Sequence, residues 1–154
     1  MTDISVTRDP PVTTVTLNRP DDLNRLTPGS MALLGRIVAE IAADDNIHAV
    51  IVTGAGFDFF SAGLLNPDIR AAMSKDEVIE FVLLANQVFD DLAALPQISI
   101  AAINGTILAG AVELALACDI RIAADDASLT MPEAKWGGFP GAGGPHRLGM
   151  AVGH

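Results

Sequence analysis

The sequence predicts a layered α/β domain, and three observations support this prediction. Short apolar or β-branched runs alternate along the chain with longer segments that carry apolar residues at helical spacing. The length of 154 residues suits one domain with a sizeable core. Half of the residues are hydrophobic (50%), which excludes an intrinsically disordered chain.

The first elements are predicted to be a pair of strands and a helix. Ile4–Thr7 and Val12–Leu17 are rich in β-branched residues and flank a turn with two prolines, which predicts a hairpin-like pair. Thr27 is followed by proline, which is typical of a helix start, and we expect this helix to end near Asp44. Its buried face is predicted from the apolar residues at helical spacing, namely Leu34, Ile37, Val38 and Ile41.

The middle of the chain predicts a strand, a loop and a long helix. Ala49–Val52 is a short apolar run that ends in a Gly-Ala-Gly turn, and we expect Phe57–Asp68 to be a loop. Ser74 and Glu77 have the spacing of a capping box. Apolar residues then repeat at helical intervals to about Leu95, where a proline ends the predicted helix.

The residues that carry chemistry are concentrated between Ser99 and Gly144. Ser99–Asn104 and Ile120–Ala124 are predicted strands, and an apolar helix pattern lies between them. Glu113 falls in the first turn of that helix, and Glu133 follows a turn-prone Met-Pro pair. Two carboxylates that converge can position a water molecule between them. Gly110, at the predicted start of the helix, can turn its backbone N–H toward developing negative charge.

Charge and cysteine content narrow the class of protein. The formal net charge is −10, from 9 basic and 19 acidic residues, which argues against nucleic acid or an anionic membrane as a partner. Backbone amides and a few arginines must therefore bind any phosphorylated ligand. The chain contains no apolar run of the roughly 18 residues that a membrane helix needs. A single cysteine, Cys118, excludes an internal disulfide, so we expect a cytoplasmic protein.

Other familiar site patterns are incomplete. Gly54-Ala55-Gly56 after a strand could begin a dinucleotide turn, but Phe59 stands in place of the third glycine. The residues around Ser61 do not fit a nucleophile elbow either, because Phe59 stands where that motif needs a glycine. Cys118 is most simply a small buried hydrophobic residue. We predict no metal site, because the histidines lack ligand spacing; they are His48, His146 and His154.

An ordered set of motifs resembles the crotonase superfamily of enoyl-CoA hydratases and isomerases. Each motif is weak alone, but together they cover nearly the whole chain in the family's order. The matching stretches are Leu17-Asn18-Arg19-Pro20, Leu23-Asn24, Val52-Thr53-Gly54-Ala55-Gly56, Phe60-Ser61-Ala62-Gly63, Ala101-Ala102-Ile103-Asn104-Gly105, Glu113-Leu114-Ala115-Leu116-Ala117-Cys118-Asp119, Pro132-Glu133 and Phe139-Pro140-Gly141-Ala142-Gly143-Gly144.

The resemblance implies an architecture and a boundary. It implies the right-handed β-β-α superhelix of the ClpP/crotonase fold, so residues 1–154 are expected to form one crotonase-like core domain. Arg147–His154 has the pattern of an opening helix. In the family, a carboxyl-terminal helical region follows, closes the acyl pocket and builds the trimer interface. We therefore expect a truncated core that lacks this region.

The resemblance also implies a reaction. Water is expected to add in a syn sense to a 2-enoyl-CoA thioester. Glu113 corresponds to the group that deprotonates the water, and Glu133 to the group that protonates the α-carbon. The backbone N–H groups of Leu64 and Gly110 correspond to the oxyanion hole. Coenzyme A belongs to the substrate, so no separate cofactor is expected.

Further residues are implied to contact the substrate. Asp22, Leu23 and Arg25 stand at the expected coenzyme A-binding stretch, where Arg25 could meet a phosphate or remain solvated. Ala62 lies beside the oxyanion loop, and Trp136 is expected to line the acyl pocket or the core. The chain departs from the family pattern where Leu64 and Leu65 replace a small residue and an aspartate. Ala109 and Ala111 replace glycines.

Alternative functions remain open from the sequence. Hydratases of the family keep both glutamates while isomerases often keep one, which favours hydration over a double-bond isomerase or another acyl-CoA lyase reaction. A catalytically silent coenzyme A-binding or assembly subunit is a third possibility. The family forms trimers or dimers of trimers, and exposed apolar surface should drive self-association, so we expect a homo-oligomer.

Overall fold

The computed structural model describes residues 2–153, which fold as alternating strands and helices. In chain order the elements are β1 (Ile4–Asp9), β2 (Val12–Leu17), α1 (Pro28–Ala42), β3 (Ala49–Gly54), β4 (Phe59–Ser61), α2 (Pro67–Ala71), α3 (Lys75–Ala93), β5 (Ile98–Ile103), β6 (Thr106–Leu108), α4 (Gly110–Ala117), β7 (Ile120–Ala123), β8 (Leu129–Thr130) and α5 (Gly144–Val152). Short 3₁₀ turns occupy Pro20–Asp22 and Glu133–Trp136.

The larger sheet has five strands in the order β1-β2-β3-β5-β7. β1 and β2 are antiparallel, which confirms the predicted strand pair, and the remaining neighbours are parallel. Parallel neighbours need crossover connections, and α1, α3 and α4 supply them. One face of the sheet is buried, as the alternating burial of β2 and β3 shows.

A second sheet of three short parallel strands has the order β4-β6-β8. The sequence analysis predicted none of these three strands, and two of them lie in segments predicted to be loops. β4 lies inside the segment predicted as a loop, Phe57–Asp68, which also contains the start of α2, and β6 lies in the loop predicted before α4. Strands of two or three residues are too short to show a hydrophobic period, so the sequence could not predict them.

The two long helices begin at the predicted caps and pack against each other. The Thr27 hydroxyl accepts the Ser30 N–H at 3.1 Å, and the Ser74 hydroxyl accepts the Glu77 N–H at 3.3 Å. Gly35 permits a close approach of α1 to α3, because a Cβ there would lie 3.0 Å from Cγ2 of Val88. All four apolar residues of the predicted α1 face are buried.

Buried Asn24 ties together three loops near the carboxyl ends of the strands. Its Nδ2 donates to the carbonyl oxygens of Ala55 and Phe59, both at 2.8 Å, and its Oδ1 accepts the Arg19 N–H at 3.1 Å. The residue is 1% exposed and has a φ of +53°, a left-handed conformation that asparagine tolerates. These three segments therefore have fixed relative positions.

The last helix also differs from its predicted extent. α5 begins at Gly144 rather than at Arg147, with proline at its second position, where the missing N–H is not needed. The predicted helix included His154, which lies outside the described residues. Among residues 2–153, no helix combines the length and the apolar character that crossing a membrane requires.

Candidate active site

Glu113 is almost completely buried in the first turn of α4. The residue is 2% exposed, and its side chain is among the largest fully buried ones in the described chain. Oε1 accepts the backbone N–H groups of Ala142 and Gly144, each at 2.8 Å. Ala142 lies in the turn before α5, and Gly144 is the first residue of that helix. One carboxylate oxygen is therefore fixed by two N–H groups, while no described residue donates to Oε2.

Opposing influences act on the pKa of Glu113. Burial raises the pKa, and the charge of nearby Glu133 raises it further. The N–H groups of Gly144 and Ala142 lower it, as does the positive charge of Arg147. The net result is a raised pKa for Glu113. The two N–H groups stabilise the ionised form and limit this rise.

Glu133 sits at the start of the second 3₁₀ turn in a different environment. Burial raises the pKa of its carboxyl, partly offset by a hydrogen bond from its own backbone N–H. Its Oε2 is shielded from solvent, and none of the described residues donates to this oxygen. A carboxyl in this environment holds its proton to a higher pH than an exposed glutamate, which suits a proton donor.

Both glutamates line one cavity of about 650 Å³. Three other residues singled out in the sequence line it too: Leu64, Gly110 and Trp136. Most of the remaining wall is apolar and comes from the segment after β4, from α3 and from the segment before α5; it includes Leu65, Val78, Ile79, Val82, Leu83 and Phe139. The cavity can accommodate an apolar chain beside two carboxyl groups.

The loops that carry Leu64 and Gly110 touch each other. A Cβ on Gly63, which has a φ of +81°, would lie 2.9 Å from the Gly110 nitrogen, and a Cβ on Gly110 would lie 2.4 Å from Cδ1 of Leu64. The buried Ser61 hydroxyl accepts the Gly63 N–H at 3.0 Å and shapes this loop. Within the described chain, neither the Leu64 nor the Gly110 N–H donates to a protein acceptor. The Leu64 loop and the start of α4 thus each carry an N–H group without a protein acceptor, on residues that line the cavity.

The residues predicted to contact coenzyme A lie beside this loop, outside the cavity wall. The Ala62 N–H donates to the Leu23 carbonyl at 2.9 Å, which joins the two segments. Arg25 is mostly buried and its Nε lies 3.5 Å from Oδ1 of Asp22, which also pairs with Arg19. Asp22, Leu23, Arg25 and Ala62 are thus brought together with the Leu64 loop but not with the two glutamates. Their contact with coenzyme A stays a prediction.

Several residues at the cavity were missed by the sequence reasoning. Ala142 and Gly144 belong to a motif that matches the family. No feature of the sequence, however, indicates that their N–H groups donate to Glu113. Arg70 borders the cavity and lies in α2, between the predicted loop Phe57–Asp68 and the predicted helix cap at Ser74. Asn86 and Arg147 donate hydrogen bonds to the carbonyl groups of Gly141 and Ala142. A polar residue in a helix gives no sequence signal for such a contact.

Comparison with known proteins identifies relatives along nearly the whole chain. Residues 7–154 match the family model described as enoyl-CoA hydratase/isomerase. The short-chain-enoyl-CoA hydratase of Clostridium acetobutylicum is 41% identical over 142 residues, which cover 92% of this chain and 54% of that protein. The human mitochondrial methylglutaconyl-CoA hydratase is 39% identical over 137 residues, which cover 89% of this chain and 40% of that protein. This chain spans about half the length of the curated relatives it matches, or less.

Solved structures of relatives confirm the crotonase-like α/β fold. A crystal structure of an enoyl-CoA hydratase from Bacillus anthracis superposes with a TM-score of 0.95 at 40% identity, covering 99% of this chain and 59% of that one. The structure of DspI from Pseudomonas aeruginosa gives a TM-score of 0.93 at 36% identity, covering 100% of this chain and 62% of that one. The chain belongs to the enoyl-CoA hydratase/isomerase family.

Proposed function

We propose that this chain carries the catalytic groups of an enoyl-CoA hydratase, which adds water across the double bond of a 2-enoyl-CoA thioester. The observation that supports this most is the pair of glutamates on one cavity whose environments differ. Glu113 is supplied with two N–H donors, while Glu133 has a shielded oxygen without one. Carboxyls in unlike environments can take the roles of base and acid in one reaction.

Each group has a defined role in the proposed reaction. Glu113, in its ionised form, orients a water molecule and accepts its proton as the oxygen bonds to the β-carbon. Glu133 gives its proton to the α-carbon on the same face. Negative charge on the thioester oxygen is stabilised by the N–H groups of Leu64 and Gly110; losing one such donor typically costs about 3 kcal/mol of transition-state stabilisation.

Burial supports the acid role of Glu133. A carboxyl in water is ionised at neutral pH and cannot supply a proton. Because burial raises the pKa of Glu133, the protonated form is more populated than in an exposed glutamate. The apolar wall of the cavity supports an acyl chain as the part of the substrate next to these carboxyls. Coenzyme A is proposed as part of this substrate, with no separate cofactor.

The test is hydration of crotonyl-CoA by the purified chain and by Glu113→Gln and Glu133→Gln. Glutamine keeps the shape of glutamate but cannot exchange a proton in the required way. We expect each variant to lower kcat by roughly 10²–10⁴-fold. Turnover is followed as the loss of the conjugated thioester absorbance. Full activity in either variant would contradict the proposed roles.

The assay also separates the alternatives. Conversion of a 3-enoyl-CoA to its 2-enoyl isomer, with loss of activity in only one glutamate variant, would instead indicate a double-bond isomerase. Binding of coenzyme A without turnover of either substrate would indicate a silent binding or assembly subunit. An exposed pair far from the cavity provides the control: Arg8→Gln breaks the Arg8–Glu40 ion pair, and its activity should match the wild type.

A further inference from the structure

The turn at residues 141–144, hereafter the donor turn, supplies the two N–H groups that reach Glu113. A turn rich in glycine is flexible in isolation, so something must fix its donors at 2.8 Å from Oε1. Side chains from α3 and α5 donate hydrogen bonds to carbonyl groups of the donor turn. Their contacts indicate how the carboxylate is kept in place.

The first contact comes from α3. Nδ2 of Asn86 donates to the Gly141 carbonyl at 2.7 Å and to the Val82 carbonyl at 2.9 Å. The hydrogen bond to Val82 lies within α3 and fixes the orientation of the Asn86 amide. The hydrogen bond to Gly141 therefore fixes the start of the donor turn relative to α3. Gly141 immediately precedes Ala142, one of the two donors to Glu113.

The second contact comes from Arg147 in the first turn of α5. Its Nη1 donates to the Ala142 carbonyl at 2.9 Å, so Ala142 contacts Arg147 through its C=O and Glu113 through its N–H. Its Nη2 pairs with Oδ1 of Asp90 on α3, one helical turn beyond Asn86. The arginine side chain is only 12% exposed. A Cβ on Gly143 would lie 2.0 Å from Nη1, so the guanidinium lies directly against the turn.

Arg147 is also the cation that acts on Glu113. Two elements besides α4 carry charged groups that act on this carboxyl: the 3₁₀ turn carries Glu133, and α5 carries Arg147. Asp90 on α3 contacts Arg147 rather than Glu113. Glu113 is the only charged residue of α4 itself. Glu133 disfavours the ionised form of Glu113, and Arg147 favours it.

We propose that Arg147, anchored by Asp90, is a positioning residue that fixes the donor turn on Glu113 and keeps this carboxylate ready to accept a proton. The inference rests on the proposed hydratase function, because it assigns Glu113 the role of base. Arg147 acts through Ala142 and through its charge, and it has no contact with the reacting atoms in this assignment.

The test compares Arg147→Gln, Arg147→Lys and Asp90→Asn with the wild type and with the Arg8→Gln control. Arg147→Gln removes the positive charge and the guanidinium hydrogen bond to the Ala142 carbonyl. We therefore expect kcat to fall about tenfold while KM stays within about twofold. A base works in its ionised form, so the rate rises with pH through the pKa of Glu113. Loss of the arginine raises that pKa, and the rising limb of kcat should move about one pH unit higher. Arg147→Lys should recover part of this shift.

A second readout separates this inference from the proposed function. The pKa of Glu113 is measured by NMR titration of carboxyl-¹³C-labelled glutamate in the full chain, with Glu113→Gln to assign the signal. An inactive wild type whose Glu113 pKa rises in Arg147→Gln would reject the hydratase proposal and retain the positioning role. An active wild type whose pH profile and Glu113 pKa are unchanged in Arg147→Gln would overturn the positioning role.

Asp90→Asn covers the case in which Arg147→Gln does not fold. The Asp90 side chain is 68% exposed, so its neutral isostere should leave the fold intact as judged by circular dichroism. We expect a shift of the Glu113 pKa in the same direction as in Arg147→Gln but smaller, because Arg147 keeps its bond to Ala142. An unchanged pKa in folded Asp90→Asn would overturn the anchoring role.

Discussion

At the scale of single residues, the two cavity carboxyls differ in what surrounds them rather than in what they are. Glu113 is buried but receives two N–H groups, whereas Glu133 is less buried and has a shielded oxygen with no donor among residues 2–153. Burial favours the protonated form in both; two N–H groups from another segment counter this at Glu113, whereas at Glu133 only its own backbone N–H does so. The same amino acid is thereby suited to two different tasks.

The raised pKa of Glu113 predicts a pH-dependent stability. Its folded pKa lies above the unfolded value, so the folded state keeps a proton that the unfolded state has lost in the window between them. The contribution to stability is full below the unfolded pKa and is lost as the pH rises through the folded pKa. We expect the melting temperature of the wild type to fall across this window relative to Glu113→Gln, measured by calorimetry at a series of pH values.

The comparison with Glu113→Gln isolates this one group. Glu77 and Asp44 have lowered pKa values caused by local hydrogen bonds, and they therefore change stability in the opposite sense. Both are present in each protein and cancel in the difference. A difference in melting temperature between wild type and variant that stays constant with pH would refute the assigned direction.

Single residues also show how far the sequence alone can go. Glu113 could be selected because its neighbours in the helix are apolar, and an acidic residue among them needs a special reason. Arg147 could not be selected, because the proposed role depends on the contacts of its guanidinium. One is with the Ala142 carbonyl, and the other is with Asp90, 57 residues earlier in the chain. Such long-range contacts carry no local pattern.

At the scale of elements, the contact between the Leu64 loop and the start of α4 fixes two backbone donors relative to each other. Gly110→Ala would place a Cβ 2.4 Å from Cδ1 and 2.7 Å from Cγ of Leu64, whose side chain is itself buried. Leu64 has little room to move, so we expect a loss of about 1–3 kcal/mol in unfolding free energy, measured by urea denaturation. The kcat should fall with it, since the loops are pushed apart.

Two further variants test whether this contact is the cause. Gly149→Ala adds a methyl group inside α5 with no heavy atom within 4 Å, and it should stabilise the helix by about 0.5–1 kcal/mol. Leu64→Ala combined with Gly110→Ala removes the clash, so the double variant should lose about 1–3 kcal/mol less than the sum of the single losses. Strict additivity would mean that Leu64 and Gly110 do not interact.

The elements differ in how well the sequence predicted them. α1 and α3 were predicted from capping residues and a long apolar face, both of which are local signals. The strands β4, β6 and β8 were missed because each is stabilised by pairing with segments far away in sequence. The start of α5 was placed too late, because the Gly-Gly-Pro run that opens it has low helix propensity.

At the scale of the whole molecule, the larger sheet presents an apolar outer face. The strand register places Ile51 beside Ile100 and Ile100 beside Ile120. Paired residues on parallel strands point to the same side, so Ile98 and Ile122 join the same face, where they are 54% and 60% exposed. The alternation of strands and helices in the sequence predicted the layered α/β architecture, but it gave no strand order or register for this sheet.

This outer face predicts self-association of the chain. Contiguous exposed apolar residues favour contact with another surface over contact with water. We expect the apparent mass in light scattering to rise with protein concentration, and to rise less in the double variant Ile120→Thr and Ile122→Thr. Threonine keeps the β-branched shape that suits a strand.

An apolar residue elsewhere provides the control for association. Phe57 is 91% exposed in a loop, so Phe57→Thr removes apolar surface without touching the outer face. Its concentration dependence should match that of the wild type. A monodisperse monomer at every concentration would contradict the prediction of self-association.

The attachment of both donor-turn N–H groups to a single oxygen of Glu113 has a stereochemical consequence for hydration. With Oε1 bound to two N–H groups, Oε2 is the oxygen that the proposed mechanism leaves to orient water. A planar alkene bound beside it would be attacked on one face alone. The 3-hydroxyacyl product would then be a single enantiomer, and in heavy water the incoming deuterium at the neighbouring carbon would have one configuration.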